Sequence, residues 1–490
     1  MNTHSAASRP ARHREAEAAL DRLRPLGAAT ATPVDVPRHP DGRVDLVRLL
    51  PAATTLLETR PQSGGEAGMS YVVVGTAGRL LHDGVTTTLV DAQGAHDLGP
   101  DPFAALDEVT AALDATPDAP HPVDVPGDLS AGLVGAWSYD LGRVIEDVPT
   151  LARADRDHAW LDLAVVTAVV VVDHASESAT LVRRPLAGTP NPPDATHLLA
   201  TLSGAASPEV AVGPRVATST MTPDQHHDGV RTILDHIAAG DTFQVNLAHR
   251  LSTSWEADDV ALYRALRAQS PAPHLAVHRC HDGSSIVSIS PETFLHARDH
   301  VVRTRPIKGT RPRSADPAAD DVARDDLVRS AKDRAENVMV VDMERNDLGR
   351  VCVPGSVTVP ELLEVEAHPT VWQLVSTIEG HLSPGVGWGG LLRATFPCGS
   401  VTGTPKVAAM AIIERLEPVR RSWYCGAIGF VAPGRASLSV AIRTAVVDDG
   451  RVDYAAGGGI VADSDPADEY DETLAKARAF LDAVNAEVAT

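Results

Sequence analysis

No stretch of the 490-residue sequence is long and apolar enough to cross a bilayer: the longest apolar run, Leu163 to Val172, falls well short of the ~20 residues a spanning helix needs. Its valine content suits a buried strand instead. Positive charge is also scarce. Lys and Arg number 43 against 65 Asp and Glu, a formal charge of −22. That disfavours binding to a nucleic-acid backbone or an anionic membrane surface and leaves small molecules and proteins as partners. Cysteine occurs four times, at Cys280, Cys352, Cys398 and Cys425, without a CxxC pair. That argues against a disulfide scaffold and against a thiolate zinc site, and a reduced, cytoplasmic setting fits better. A GxGxxG fingerprint, a P-loop and repeats of solenoid period are missing too. The first 25 residues mix Arg, His and Glu without an apolar core, so they do not read as a secretory signal or anchor. Residues 1–17 read as a disordered start.

What is present is an ordinary globular composition, 43% hydrophobic and 22% charged, with room for about two or three packed units. Strand-like runs such as Tyr71 to Val74 and Leu163 to Val172 mark an N-terminal region, 18–184. A Pro-, Gly-, Ser- and Thr-rich joint follows over 185–215, and a second region spans 216–486. There Val230, Ile233, Leu234 and Ile237 recur at helical spacing and stop at Gly240. In FQVNLAHRL, Phe243, Val245 and Leu247 alternate with Gln244, Asn246 and Ala248, placing Gln244 and Asn246 on the opposite face of a strand. Further strands are expected around 285–290 and 301–305, with helices near 322–345, 405–416 and 466–485. Strands and helices in this irregular order predict an α+β fold.

Four segments could carry chemistry. In TRPIKGTRPR, Lys308 lies among Arg305, Arg311 and Arg313; a lysine among cations and apolar atoms has its charged form disfavoured and becomes nucleophilic. The alternative is a basic surface loop. Glu336 stands on a helix beside the apolar Val338 to Val341, either as a metal ligand or as a partner of nearby arginines. In DSDPADEYDET, Ser464 or Asp465 caps a helix with Pro466 at its first position and Tyr470, Leu474, Ala477 and Leu481 as its apolar stripe. Glu469 and Glu472 lie off that stripe, suited to a hard cation or to a plain Glu472/Lys476 pair. Just before it, Gly457, Gly458 and Gly459 let backbone amides approach an anion, unless they only make a tight turn.

Taken in order, QVNLAHR, SPETF, PIKGTRPR, DRAENVMVVDMERNDLGRV, LVSTIEG, FPCGSVTGTPKVAAM, CGAIGF, AIRTA and AAGGGIVADSDPADEYDET resemble the chorismate-using enzymes. These include anthranilate synthase component I, aminodeoxychorismate synthase component I, and the isochorismate and salicylate synthases. The resemblance is dense over about 220–484 and looser before it, chiefly TTLLET and SYVVVG. It implies antiparallel sheets packed face to face with helices outside and the active site between the sheets. Isochorismate and salicylate synthases have a lysine base where this chain has Gln244, and an amide cannot deprotonate water. PIKGT, QVNL and RRSWYC look like the aminodeoxychorismate branch, whereas anthranilate synthases usually show PIAGT.

The resemblance thus implies amination of chorismate at C4 to 4-amino-4-deoxychorismate, for 4-aminobenzoate and folate or a related specialised pathway. Anthranilate synthase component I or a 2-amino-2-deoxyisochorismate synthase, both acting at C2, is the alternative. In this reading Lys308 is the covalent nucleophile and Glu292 the general acid. Glu336, Glu469 and Glu472 hold magnesium. Gln244, Thr402, Tyr424, Arg443, Gly457, Gly458, Gly459 and Lys476 bind substrate. No cysteine has the Gly-rich turn and distant His and Glu partners of a glutamine amidotransferase, so ammonia should come from a separate subunit of that kind. Leu56 to Thr59 resembles the tryptophan-binding segment of anthranilate synthases, though a structural strand also explains it. One departure stands out: Gln373 occupies a position where relatives often have histidine, with His368 five residues earlier.

Overall fold

The computed structural model describes residues 9–59, 68–114, 127–196, 213–269 and 272–489. One strand organises it. Leu161–Asp173 is buried on both faces as far as Val172, because a run of valines and leucines has no polar side to turn outward. Met69–His82 pairs along one edge, and Gly132–Trp137 and Ser178–Arg183 share the other. Apart from the short pairing of Ala486–Val488 with Arg215–Ser219, the ladders between these and the other described strands are antiparallel.

The side chains of the central strand serve different cores. Leu163 and Val165 pack with helices Pro102–Asp114 and Trp388–Thr395, and Val170 and Val172 with Asp259–Gln269 and Pro466–Val484. Ala164, Val166, Val169 and Val171 instead meet residues of other strands, among them Val134, Ala276, Ile286, Ile428 and Phe430. This strand-lined layer is the interior of an α+β fold whose sheets pack face to face and carry helices outside.

Regions 18–184 and 216–486 contribute to the same ladders: Thr55–Thr59 pairs with His274–Arg279, and Gly132–Trp137 with Ala427–Ala432. Glu58 is buried on the first of these strands, bonded by Tyr263 and by Arg267 at 2.8 Å. Residues 197–212 of the joint lie outside the described residues. Among the described residues no helix is long and apolar enough to cross a membrane.

Three expectations are corrected. Of the start read as disordered, residues 9–17 belong to a helix, Arg9–Arg22; burial of Ala19 and a 2.9 Å hydrogen bond from Arg22 to Asp91 anchor it, while residues 1–8 lie outside the described set. The helix expected over 322–345 is two, Pro317–Arg329 and Ala331–Gly349, divided at Ser330, whose hydroxyl accepts from the Asp333 amide and caps the second. Phe243 precedes the strand Gln244–Ser254 and is 66% exposed, so the inward alternation begins at Val245.

Candidate active site

Strand pairing brings the chemistry-bearing residues together. Gln244–Ser254 runs antiparallel to Arg451–Ile460, setting Asn246 opposite Gly459 and Ala248 opposite Gly457. The three glycines therefore lie in a strand, not in a turn, and their φ angles are ordinary. What they provide is closeness. A Cβ on Gly459 would lie 2.4 Å from Gln244 Nε2, and one on Gly458 would lie 2.9 Å from Glu469 Oε2. Gly459→Ala should displace the buried Gln244 amide and narrow the cavity, lowering turnover about tenfold or more while circular dichroism stays native.

Lys308 lies on Ile307–Pro312, which pairs with Val371–His381 through an irregularity between Ile307 and Thr310. Gly309 makes that bulge with a φ of 85°, against Asp333. Bulges re-aim side chains, and here the Lys308 Nζ donates to the Ser400 carbonyl at 3.3 Å. Helix Ala331–Gly349 presents Lys332 and Glu336 one turn apart on one face. Helix Pro466–Val484, capped by Asp465, presents Glu469, Glu472 and Lys476. Arg443 has a left-handed φ of 52°, and its carbonyl accepts from the Ile289 amide at 3.1 Å. Together with Glu292 and Tyr424 these residues line one cavity of about 610 Å³, a size suited to a small molecule.

Five carboxylates and five cations face this space. Burial pushes the Glu292 carboxyl up against the opposing pull of Ser400 and Lys308, and its Oε1 has no hydrogen-bond partner. Burial likewise raises Glu336 and Glu469, with the like charge of Glu469 adding to Glu336 and that of Glu472 to Glu469. At Glu472 burial also works upward, but Lys476, Lys332 and Lys308 hold the carboxyl below the ordinary range. Glu469 accepts from the Ser464 hydroxyl at 2.5 Å. Lys476 Nζ bonds Glu472 at 2.6 Å and the Gly457 carbonyl at 2.9 Å.

Three expected substrate contacts sit elsewhere. Thr402 is fully buried and spends its hydroxyl on the Cys398 and Gly399 carbonyls, closing its own tight turn. Gln244 stands behind Gly459, and Gly458 lies against Glu469; unlike Gly457 and Gly459, neither Gln244, Thr402 nor Gly458 is in the cavity wall. The setting of Lys308 also differs from expectation. Arg305 is paired with Glu366, Arg311 with Asp326 and Asp333, and Arg313 with Asp320. The charges acting between Lys308 and the cavity are instead those of Glu292, Glu336 and Glu472.

The cavity wall also contains residues given no role from the sequence: Lys332, Asn246 and Ser400. The i, i+4 spacing of Lys332 and Glu336 was the available signal for the first; nothing local marked Ser400. Gln373 and His368 line the wall as well. The whole sequence holds four lysines. Lys308, Lys332 and Lys476 line this cavity, and Lys406 bonds Asp347 at 2.6 Å.

The chain is similar to known proteins along most of its length. A family model described as chorismate binding enzyme matches residues 57–482. An aminodeoxychorismate synthase component 1 from Klebsiella aerogenes is 39% identical over 407 residues, 82% of this chain and 87% of the relative. An anthranilate synthase component 1 from Streptomyces coelicolor is 38% identical, over 88% of this chain and 83% of its own. The crystal structure of anthranilate synthase component I from Streptococcus pneumoniae superposes with a TM-score of 0.72 at 28% identity, covering 84% of this chain and 91% of that one. A match that runs through both regions of the sheet framework and takes in every wall residue of the cavity makes this chain a member of the chorismate-binding enzymes.

Proposed function

We propose that the protein aminates chorismate at C4, with ammonia as the nitrogen source and 4-amino-4-deoxychorismate as the product. The observation that carries this reading is the Lys308 amine, aimed by its bulge into the cavity that also holds Glu292. The Arg443 guanidinium suits the enolpyruvyl carboxylate as a two-pronged donor, beside Tyr424. Gly457 and Gly459 let backbone approach the ring carboxylate closely. Lys308 would then bond to C2 while the ring double bond shifts and the C4 hydroxyl departs with a proton from Glu292, whose raised affinity for that proton suits the task. Ammonia bonds to C4, the double bond returns, and the lysine amine leaves C2. Two displacements put nitrogen on the carbon that lost oxygen.

Glu336, Glu469 and Glu472 offer oxygen donors of the kind magnesium takes. A divalent cation that enters together with a dicarboxylate substrate adds no net charge to the cavity. When bound, magnesium would neutralise the ring carboxylate. Ammonia is assigned to a separate glutamine amidotransferase subunit, in keeping with relatives named as component 1, and the product to 4-aminobenzoate and folate synthesis or a specialised branch.

Incubation of the purified chain with chorismate, magnesium and an ammonium salt, with the product identified by mass spectrometry, tests this. The expected product is 4-amino-4-deoxychorismate, with glutamine supporting little turnover in place of ammonium. Anthranilate or 2-amino-2-deoxyisochorismate would move the chemistry to C2 and overturn the reading. Absence of both turnover and chorismate binding would indicate a subunit that has kept the fold alone.

A further inference from the structure

From Glu292 and Ser400 in the cavity wall a polar line continues inward to Cys398 and Glu344, which do not line the cavity. Glu292 and Ser400 stand in the same stretch of the cavity wall, and the Ser400 hydroxyl opposes the rise that burial imposes on the Glu292 carboxyl. Ser400 Oγ lies 3.3 Å from Cys398 Sγ, and Cys398 Sγ lies 3.5 Å from Glu344 Oε1. The other Glu344 oxygen accepts from Thr304 Oγ1 at 2.8 Å. All four members of the line, Glu292, Ser400, Cys398 and Glu344, are buried. No cation is bonded to Glu344 in the described structure. The neighbouring Asp347, one turn on, takes both Lys406 and Arg350 for itself. An ionised carboxylate so enclosed and unpaired is costly, whereas a carboxylic acid is not. Burial accordingly pushes Glu344 up to about 8, with Thr304 opposing and the charges of Glu292 and Asp347 adding. Burial also keeps the Cys398 thiol protonated, with Glu344 and Glu292 contributing.

We propose that Glu344, Cys398 and Ser400 form a buried proton line that restocks Glu292 during amination. This inference rests on the role given to Glu292 above. Glu344 and Cys398 act through Glu292 and are positioning residues. When Glu292 has passed its proton to the departing hydroxyl, the Ser400 O–H proton moves to Glu292. The Cys398 S–H proton moves to Ser400, and the Glu344 O–H proton to Cys398. Ser400 and Cys398 finish with as many protons as they began with, and one proton has passed from Glu344 to Glu292. The return follows when ammonia has added at C4: the new ammonium gives a proton to the line, and Glu344 is again an acid. Nothing is oxidised or reduced.

The test measures kcat and KM for chorismate against pH, on the full chain with magnesium and ammonium salts, at constant free ammonia. Glu344→Gln keeps the shape and removes the transferable proton. Its alkaline limb should move down by about one pH unit, lowering kcat about tenfold beyond the limb, with KM changed less than about twofold. Cys398→Ala should behave likewise, while Cys398→Ser, which retains a hydroxyl for relay, should restore the wild-type limb. Limbs of Glu344→Gln and Cys398→Ala that coincide with wild type would overturn the proton line, as would a Cys398→Ser no better than Cys398→Ala. Because the two cysteine variants differ from wild type by a single atom or group, they decide the matter even if Glu344→Gln folds poorly. Failure of the wild-type protein to aminate chorismate would instead sink the proposed function, so the two readings fail separately.

Discussion

Lys308→Ala is expected to lower kcat for ammonium-dependent amination at least about a hundredfold, a loss of about 2.7 kcal/mol of transition-state stabilisation, while KM for chorismate changes little. The separation follows from the geometry. The groups suited to the carboxylates, Arg443 and the glycine strand, are on different elements from the strand that carries Lys308. Removing the amine leaves them in place. A nucleophile that divides one displacement into two acts on the barrier and not on ground-state binding. With magnesium present and ammonia absent, intact-protein mass spectrometry should find the wild-type chain carrying the dehydrated chorismate skeleton, and Lys308→Ala unmodified. No wild-type adduct together with normal kcat in the variant would reduce Lys308 to an electrostatic contact and reopen amination at C2.

The second large effect is expected from Glu336→Gln and Glu472→Gln. These residues reach the cavity from two helices remote in sequence. A glutamine keeps the size of each side chain and removes its charge. Loss of even an outer partner of a metal ligand costs roughly 10–100-fold in affinity, so loss of a ligand should weaken magnesium at least about a hundredfold. Turnover should fall with it. Calorimetry should also show that chorismate tightens magnesium binding in the wild type, because the metal's remaining positions accept substrate oxygens, and that this coupling is lost in both variants. Unchanged turnover and metal dependence would contradict the assignment.

Local signals were legible where one element contains its own instructions. The capping aspartate, the proline and the apolar stripe of Pro466–Val484 are enough to place Glu469, Glu472 and Lys476 on one helix from sequence. Signals that depend on register were not. Three consecutive glycines ordinarily punctuate a turn, yet pairing with Gln244–Ser254, some 200 residues earlier in the chain, makes them a strand. The direction of Lys308 follows from a bulge against Val371–His381, more than sixty residues on. The same distance hides charge state: Arg305, Arg311 and Arg313 read as an unpaired cationic cluster until Glu366, Asp326, Asp333 and Asp320 are brought to them. Thr402 carried a family role in its motif, but its hydroxyl closes a local turn that no spacing rule discloses.

With lysine confined to four positions, chemistry that elsewhere decorates a protein surface becomes directed here. Amine-selective reagents meet Lys308, Lys332 and Lys476 in one cavity and Lys406 on a salt bridge near Asp347. Coupling the protein to a resin or a fluorophore through its amines would therefore obstruct the pocket itself. Amine-to-amine cross-linkers, by the same token, would be poor reporters of a docked second subunit, because the outer faces of this chain offer them so few anchoring points. Mapping such an interface calls for reagents aimed at the abundant carboxylates, which the surplus of aspartate and glutamate places all over the molecule.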